Sequence, residues 1–395
     1  MNIRTLATIL ALLPVVLALW AYVGYPALLW LLTRMGGRRV MRTDPPVWPM
    51  VSFSLPAHNE ERNIRATLEA LLSLDYPRDR VQIVVGSDAS TDGTDAIVQE
   101  YADRGVELVR LDLRGGKTAV ENGLVPYLKG ELVVNTDATI RILPGSLKPL
   151  ARAFQDPTVG VASGRDVSVG EQGRAPNRAE SGYVGYEMWV RSLETLHGGI
   201  VGASGCYYAI RHDLHQSMFP THLSRDFASA MIAHEHGYRA VSVDDAVCLV
   251  PRATSLRAEY RRKIRTMARG LETLWFKRHL LNPIRHGDFA VMLFSHKLCR
   301  WMVHLFLPSA LVATFILAAR HEEAALFIAL VAVAFWIGIS ALRWPQGVPM
   351  PRAIQVGGYL FAANLAGFQA WIQALTGDQN PIWEPTRRPD APETS

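Results

Sequence analysis

The chain has 395 residues, of which 49% are hydrophobic and 19% are charged, whereas about 25% of charged residues is usual for a soluble protein. Its formal net charge is +5, but no basic run is dense enough for nucleic-acid binding, so we expect no nucleic-acid partner. The three cysteines, Cys206, Cys248 and Cys299, are far apart. Their spacing argues against a disulfide framework and fits a reducing compartment.

The N-terminal segment, residues 1–33, is predicted to be a membrane helix. Residues 5–33 carry no charged side chain, and about 20 apolar residues suffice to span a bilayer. Four arginines follow this run directly: Arg34, Arg38, Arg39 and Arg42. The positive-inside rule therefore places the basic linker 34–47, and the segment after it, in the cytosol. A cleaved signal peptide is the alternative, but its apolar core would be shorter, about 7–15 residues.

The middle of the chain, residues 48–285, reads as alternating strands and helices. Four short apolar runs predict buried strands: Val51–Leu55, Val81–Val85, Val106–Leu111 and Leu132–Asn135. Segments with helical periodicity lie between them. We therefore predict an α/β domain with a mainly parallel sheet and helices on both faces.

Polar clusters follow three of these strands. His58, Asn59 and Glu60 come after the first strand, Asp88 after the second and Asp137 after the fourth. Because ligands bind beyond the carboxyl ends of parallel strands, at the point where the strand order reverses, we expect these clusters to border one binding site.

The C-terminal part is predicted to return to the membrane. Three apolar runs, near 301–319, 324–342 and 354–375, predict three membrane helices within residues 301–376. Within the preceding segment 286–300, residues 289–300 are apolar but carry His296, Lys297 and Arg300. This pattern favours a helix lying on the membrane surface. A longer, tilted first span is the alternative. The polar, Pro-rich tail 377–395 is predicted to be disordered.

Two segments carry a resemblance to a known family: SLPAHNEE at residues 54–61 and GSDASTDGT at residues 86–94. Over residues 48–280 the chain resembles the family-2 inverting glycosyltransferases, which have the Rossmann-like GT-A fold. The flanking apolar segments resemble the membrane-bound branch of that family, which includes polysaccharide synthases. The resemblance implies a nucleotide-diphosphate-sugar donor, usually a UDP-sugar, and a catalytic domain on the cytosolic side of the cell (inner) membrane in a multi-pass protein.

On the donor side, the resemblance implies a role for each residue that matches the family pattern. It places Pro56, Asn59 and Glu60 beside the nucleotide and Asp88 on the base. It places Lys117 near the nucleotide or the diphosphate, Arg269 facing the diphosphate, and Asp137 on a divalent metal, Mg²⁺ or Mn²⁺. Oxygen ligands of this kind suit both metals, and cations near the diphosphate stabilise it as it leaves.

On the acceptor side, Asp226 matches the catalytic base that deprotonates the acceptor hydroxyl. Gly202, Ser204 and Gly205 resemble the small-residue turn beside the acceptor, with a plain tight turn as the alternative. We also expect Arg225 on this side, facing an anionic acceptor or a donor phosphate, with a surface arginine as the alternative.

Three positions depart from the family pattern. Thr139 replaces the second acid of the metal-binding Asp-x-Asp motif, so Asp137 supplies its only carboxylate. Arg225 replaces the acid that usually precedes the base. Residues 266–270 read TMARG, without the glutamine and tryptophan that processive synthases carry there.

We therefore predict transfer of one or a few sugars to a lipid-linked or surface-glycan acceptor, in contact with membrane lipids. Two alternatives remain open. One is a processive polysaccharide synthase, and the other is a catalytically weak subunit that binds nucleotide or glycan within an assembly complex. The sequence does not indicate the donor sugar or the oligomeric state.

Overall fold

The computed structural model describes the chain except for residues 39, 41–42, 170–177, 216–217, 252–255, 320–321, 346–347, 349 and 378–395. The side chains of 178–181, 322–324 and 327 are also outside the described part. The tail predicted to be disordered therefore lies outside the described residues beyond Gly377, as do Arg39 and Arg42 of the basic linker.

The chain divides into two compact units. The sheet unit comprises Leu32–Arg252 and Glu272–Lys277, and the helical unit comprises Met1–Leu31, Ala253–Leu271 and Arg278–Asp378. The predicted single domain 48–285 is thus shared between the units after residue 252.

The helices alternate with the strands in the first two thirds of the chain and follow one another in the last third. They are α1 Ile3–Leu19, α2 Tyr25–Met35, α3 Ile64–Leu72, α4 Thr94–Gln99, α5 Lys117–Leu124, α6 Leu147–Arg152, α7 Arg178–His197, α8 His212–His215, α9 Arg225–Glu235, α10 Leu256–Phe276, α11 Pro283–Leu293, α12 Cys299–Ala318, α13 Glu322–Leu342 and α14 Arg352–Thr376.

The sheet unit is built on an 8-stranded sheet with the order β3-β2-β1-β4-β7-β6-β8-β5. Its strands are β1 Val51–Ala57, β2 Val81–Ser87, β3 Val106–Arg110, β4 Leu132–Thr136, β5 Arg141–Ile142, β6 Val159–Val169, β7 Tyr207–Arg211 and β8 Arg239–Pro251. The four predicted strands pair in parallel, which confirms the predicted α/β fold. Beyond β4 the pairing is mixed, because β7 runs antiparallel to both β4 and β6.

Both faces of the sheet are covered by helices. Every residue of β1 is buried, as expected for a strand between two helical layers. On one face, α3 and α6 contribute Ile64 and Leu147 to a core cluster with Phe53. On the other face, α5 and α9 contribute Val120 and Ala228 to a second cluster. The strand order reverses between β1 and β4, so the expected binding edge lies at the carboxyl ends of these two strands.

Within the helical unit, α1 packs along α12 and α13 packs along α14. A Cβ atom added to Gly358 on α14 would overlap the Cβ of Ala341 on α13. Small residues therefore permit the two helices to approach closely, as they do in many membrane helix pairs.

Two continuous helical runs, Ile3–Met35 and Pro283–Ala318, are long and apolar enough to cross a bilayer. The second run joins the predicted surface segment 286–300 to the span that follows, through a π-helical turn at Phe294–Leu298 and a backbone kink at Gly287. This single run resembles the longer, tilted span that is the alternative to a surface helix at residues 286–300. The number of membrane crossings stays a prediction.

Candidate active site

The loops after β1 and β2 hold each other at the carboxyl edge of the sheet. Asn59 has a left-handed backbone conformation with φ of 53°, which asparagine visits more readily than most residues. Its Oδ1 accepts a hydrogen bond of 2.8 Å from the N–H of Thr91. His58 Nδ1 lies 2.7 Å from the carbonyl oxygen of Asp88. Of the predicted nucleotide-side residues, Pro56 lies near the end of β1, and Asn59 and Glu60 lie in the loop that follows it.

Asp88 is buried and binds the backbone that leads into α5. Its Oδ1 accepts a 2.7 Å hydrogen bond from the N–H of Gly115, and its Oδ2 accepts one of 2.9 Å from the N–H of Gly116. Gly116 has φ of 84°, a conformation that glycine adopts at little cost. Asp88 therefore fixes the turn that places Lys117 at the first residue of α5. Its predicted contact with a nucleotide base stays a prediction.

Lys117 bridges the predicted donor and acceptor sides of the site. Its Nζ donates a 2.7 Å hydrogen bond to Asp137 Oδ1 and a 3.0 Å hydrogen bond to the carbonyl oxygen of Gly205. These two partners are neighbours because β4 and β7 are antiparallel, with Thr136 paired to Tyr207. Asp137, which follows β4, and Gly205, which precedes β7, therefore both lie within hydrogen-bond distance of Lys117 Nζ.

Asp226, the predicted base, lies in the first turn of α9, where the helix N-terminus stabilises a negative charge. Its Oδ1 accepts a hydrogen bond from the hydroxyl of Ser224. Its Oδ2 lies so close to Gly205 that a Cβ atom on that residue would overlap it. The small-residue turn thus packs against the predicted base. With Lys117, Glu121 and Asp137, these residues form a charged cleft.

Arg225 does not lie where the sequence predicts. It is only 4% exposed, and its guanidinium group points inward: Nη1 donates to the carbonyl oxygen of His215 at 3.2 Å, and Nη2 donates to Asn122 Oδ1. Its Nε lies 3.8 Å from Glu121 Oε2. The acceptor-side assignment of Arg225 is therefore corrected, because its charged group braces α9 from inside the protein.

The charged groups of this cleft shift one another's protonation. Burial alone would lower the pKa of Lys117, but the carboxylates of Asp137, Glu121 and Asp226 outweigh burial and raise its pKa well above the ordinary value. Burial raises the pKa of Glu121, and the positive charges of Lys117 and Arg225 offset only part of that rise. Lys117 is therefore a permanent positive charge at neutral pH, suited to a diphosphate leaving group.

This arrangement corresponds to known glycosyltransferases. The family model "Glycosyl transferase family 2" matches residues 52–219. The mannosyltransferase PcManGT from Pyrobaculum calidifontis, solved in complex with GDP-Man and Mn²⁺, is 25% identical and has a TM-score of 0.68, covering 93% of this chain and 99% of that one. Residues 52–219 form a glycosyltransferase family 2 domain. The sheet unit has the predicted GT-A fold.

Similar curated proteins align with shorter parts of the glycosyltransferase. The beta-monoglucosyldiacylglycerol synthase of Synechocystis sp. is 28% identical over 157 residues, which is 39% of this chain and 33% of that protein. The probable glycosyltransferase YdaM of Bacillus subtilis is 50% identical over 56 residues, 14% of this chain and 13% of that protein. The chain thus spans a third or less of the length of these two relatives.

Asp137 is the residue predicted to bind the divalent metal that the family implies. Among the described residues, no cluster of three or more His, Cys, Asp or Glu side chains is placed to bind a metal. Asp137 supplies one carboxylate, and the hydroxyl of Thr139 stands where the motif has its second acid. Because Mg²⁺ is usually bound by one or two carboxylates together with substrate phosphates, these residues fit a metal that is held jointly with the donor.

The turn at residues 202–205, which is predicted to lie beside the acceptor, contacts a residue that the sequence does not single out. The hydroxyl of Ser204 lies 2.8 and 2.7 Å from the two carboxylate oxygens of Asp166 on β6 and donates to that carboxylate. Gly202 is buried two residues earlier. Asp166 belongs to no recognisable motif, so only the pairing of β6 with β7 could reveal it.

A buried polar row lies beneath the cleft of the glycosyltransferase. Ser54, Asn135 and Tyr208 are aligned across β1, β4 and β7. The Ser54 hydroxyl, both amide atoms of Asn135 and the Tyr208 hydroxyl are buried without a hydrogen-bond partner in the described part of the chain. Burial, followed by the charges of Glu121 and Asp226, raises the pKa of Tyr208 well above its ordinary value.

The structure brings most of the predicted site residues to one edge of the sheet. Arg269 differs from them, because it lies on α10 in the helical unit. Its predicted contact with the diphosphate stays a prediction. Glu121 is the residue that the sequence analysis missed at the centre of the cleft. Its spacing of four residues from Lys117 on one helix face is the signal that could have identified it.

Proposed function

We propose that this glycosyltransferase transfers one or a few sugars, with inversion, from a nucleotide-diphosphate sugar to a lipid-linked or surface-glycan acceptor at the cytosolic face of the cell membrane. The observation that carries the proposal is the position of Lys117. Its Nζ lies 2.7 Å from Asp137 on the predicted donor side and 3.0 Å from the carbonyl of Gly205, against which Asp226 packs. A donor and an acceptor bound at this edge of the sheet would meet between Lys117, which is the cation, and Asp226, which is the base.

In the proposed reaction, Asp226 accepts the proton of the acceptor hydroxyl. The acceptor oxygen forms a bond to the anomeric carbon from the face opposite the leaving group, and the bond from that carbon to the diphosphate breaks. Lys117 offsets the negative charge that develops on the diphosphate. Gly205 leaves the space that the acceptor oxygen needs beside Asp226, because a side chain there would overlap the carboxylate.

Asp137 would hold a divalent metal, Mg²⁺ or Mn²⁺, together with the donor. When bound, the metal would stabilise negative charge on the diphosphate oxygens. The complex of PcManGT with Mn²⁺ supports this assignment. Nucleotide affinity measured with and without EDTA tests it independently of turnover, because chelation should weaken nucleotide binding and added Mn²⁺ should restore it.

The donor is proposed to be a UDP-sugar or GDP-mannose. The family resemblance favours uridine, and the complex of PcManGT with GDP-Man favours mannose carried on guanosine diphosphate. The loop of Asp88 and the turn Gly115–Gly116 would surround the base in either case. Calorimetric titration with UDP and with GDP distinguishes the two, because the preferred base should bind at least tenfold more tightly than the other.

The acceptor is proposed to be a lipid or a glycan carried on a lipid. Two apolar helical runs that are long enough to cross a bilayer support a location at the membrane. The name of the Synechocystis relative, a beta-monoglucosyldiacylglycerol synthase, supports a lipid acceptor. Products made by the full-length enzyme in lipid nanodiscs should carry one or a few added sugars. Long polymer would instead favour the processive synthase.

The decisive test compares wild type with Asp226→Asn. We expect kcat to fall by about 10²–10⁴-fold, the usual contribution of a general base, while nucleotide affinity changes little. Glu235→Gln is the matched control, because Glu235 lies at the opposite end of the same helix and pairs with Lys277 at 2.6 Å. Equal turnover by Asp226→Asn and wild type would remove the proposed base. Nucleotide binding by wild type without any turnover would favour the non-catalytic subunit.

A further inference from the structure

Glu121 is a buried carboxylate that faces a different cation with each oxygen. It lies on α5 and is 1% exposed. Its Oε1 is 3.9 Å from Lys117 Nζ, and its Oε2 is 3.8 Å from Arg225 Nε. A buried charge is costly unless it is paired, so the carboxylate of Glu121 depends on both Lys117 and Arg225. Lys117 contacts Asp137 and the turn at Gly205, whereas Arg225 lies beside Asp226.

One of these cations serves the donor side. Lysine has three N–H donors, and Lys117 directs two of them to Asp137 and to the carbonyl oxygen of Gly205. At 3.9 Å, Glu121 is beyond hydrogen-bond distance and attracts the ammonium group by charge alone. Glu121 therefore orients Lys117 without using the donor that a diphosphate oxygen requires.

The other cation serves the base. Arg225 is adjacent to Asp226 at the start of α9, and its Nη1 and Nη2 bond to the carbonyl of His215 and to Asn122 Oδ1. Asn122 follows Glu121 directly on α5. Glu121 and Asn122, two consecutive residues of α5, thus both contact Arg225, the first residue of α9. Lys117 also lies on α5, so this helix contacts both the donor side and the helix that carries Asp226.

We propose that Glu121 is a positioning residue for sugar transfer, which holds Lys117 and Arg225 on its two carboxylate oxygens and thereby fixes the donor-side lysine relative to the base Asp226. This inference rests on the proposed function. Glu121 does not touch the substrates. It fixes the distance between Lys117 and Asp226, which do contact the substrates. The loss of Glu121 should therefore affect the chemical step more than donor binding.

Glu121→Gln tests this role, because glutamine keeps the shape of the side chain and removes its charge. We expect kcat to fall by about ten- to a hundredfold, the range that a misplacement of about 1 Å can produce. Nucleotide affinity should stay within about threefold of wild type, since Asp88 and Asp137 are unchanged. Glu121→Asp, which keeps the charge on a shorter side chain, should recover part of the lost kcat.

A double-mutant cycle separates positioning from a general loss of structure. Glu121→Gln, Arg225→Gln and the double variant are compared in kcat, nucleotide affinity and thermal unfolding. If Glu121 acts through Arg225, the double variant should lose little more activity than the worse single variant. Glu69→Gln is the control, because Glu69 forms an exposed ion pair with Arg104 on the same unit and should leave kcat unchanged.

Each outcome is informative. A lower melting temperature with unchanged kcat in Glu121→Gln, or fully additive losses in the cycle, would overturn the positioning role and leave the proposed function intact. Absence of turnover in wild type with every donor would overturn both. If Glu121→Gln does not fold, Arg225→Lys replaces it. Lysine keeps the positive charge but cannot span Glu121, Asn122 and His215, so kcat should again fall, and an unchanged kcat would contradict the inference.

Discussion

The loops after β1 and β2 and the cleft around Lys117 satisfy their polar groups in different ways. In the loops, side chains bond to nearby backbone: Asn59 accepts from the N–H of Thr91, and Asp88 accepts from two consecutive glycine N–H groups. In the cleft, charged side chains from separate segments face one another, as Lys117 does with Asp137 and Arg225 does with Glu121. The Asn59 Oδ1 and both Asp88 carboxylate oxygens are thus already bonded to backbone. The cleft instead brings three carboxylates, Asp137, Glu121 and Asp226, close to the two cations Lys117 and Arg225.

This difference separates two kinds of contribution to the reaction. A loop whose hydrogen bonds are already made presents a fixed surface to the nucleotide, so changes there should alter affinity. A cleft that gathers charges of both signs would rearrange on binding the proposed diphosphate, so changes there should alter the rate of the chemical step. The following predictions test that division, beginning with the cleft.

The largest effect among them is expected for Gly205→Ala. A Cβ atom at this position would overlap Asp226 Oδ2, so the carboxylate of the proposed base must move. We expect kcat to fall by about a hundredfold, in line with the cost of a displacement of about 1 Å near the reacting atoms. Nucleotide affinity, measured by calorimetry on the same preparation, should change little.

Gly145→Ala is the matched control, because a Cβ atom on Gly145 would meet nothing within 4 Å. It should leave both kcat and nucleotide affinity at the wild-type level. If Gly205→Ala weakened nucleotide binding as strongly as it lowered kcat, the proposed division between loops and cleft would fail.

Asp88→Asn tests the loops. The amide can accept one of the two hydrogen bonds that the carboxylate accepts from Gly115 and Gly116. Loss of one charge-assisted bond should loosen this turn and weaken nucleotide binding by about tenfold, or roughly 1.4 kcal/mol. The effect on kcat at saturating donor should be smaller. Calorimetric titration of the nucleotide and a saturation curve for the donor measure the two quantities separately.

Asp79→Asn serves as the control for this change, since the Asp79 side chain is 80% exposed and lies outside the loop. A drop in kcat at saturating donor that exceeds the drop in affinity would show that Asp88 acts on the chemical step, contrary to the division proposed above.

The donor side was the more predictable part of the molecule. Its strands are continuous apolar runs, and parallel strands bring their carboxyl ends to one edge, so the joint position of Asp88 and Asp137 follows from pattern alone. The hydrogen bonds of Asp88 to Gly115 and Gly116 could not be predicted in this way. They depend on how closely the turn before α5 approaches the end of β2.

The centre of the cleft was less predictable, because its contacts join residues that are far apart in sequence. Arg225 is adjacent to the predicted base, which suggested an exposed position on the acceptor side. Its burial follows from Glu121 and Asn122 on α5, and no local pattern links these residues to α9. The antiparallel insertion of β7 beside β4, which brings Gly205 to Lys117, likewise left no signal in the periodicity of the sequence.

The smallest effect is expected at His215, which tests whether the region beneath the base tolerates additional charge. His215 is buried, and neither ring nitrogen has a hydrogen-bond partner in the described part of the chain. Burial, followed by the charges of Arg225 and His212, lowers its pKa well below the ordinary histidine value of 6.5. The unfolded chain therefore binds a proton at a higher pH than the folded chain does, so this histidine makes stability fall as the pH drops below 6.5.

His215→Leu should remove that dependence. Between pH 7.5 and pH 5.5, wild type should lose roughly 1 kcal/mol more unfolding free energy than the variant, since a shift of one pKa unit corresponds to about 1.4 kcal/mol. Denaturant unfolding of both proteins at the two pH values measures the difference. His236→Gln is the control, because His236 is exposed at the end of α9 and should leave the wild-type pH dependence in place. Equal pH dependence in wild type and His215→Leu would mean that the folded protein accommodates a proton beside Arg225, and that the charge balance of the cleft does not extend beneath α9.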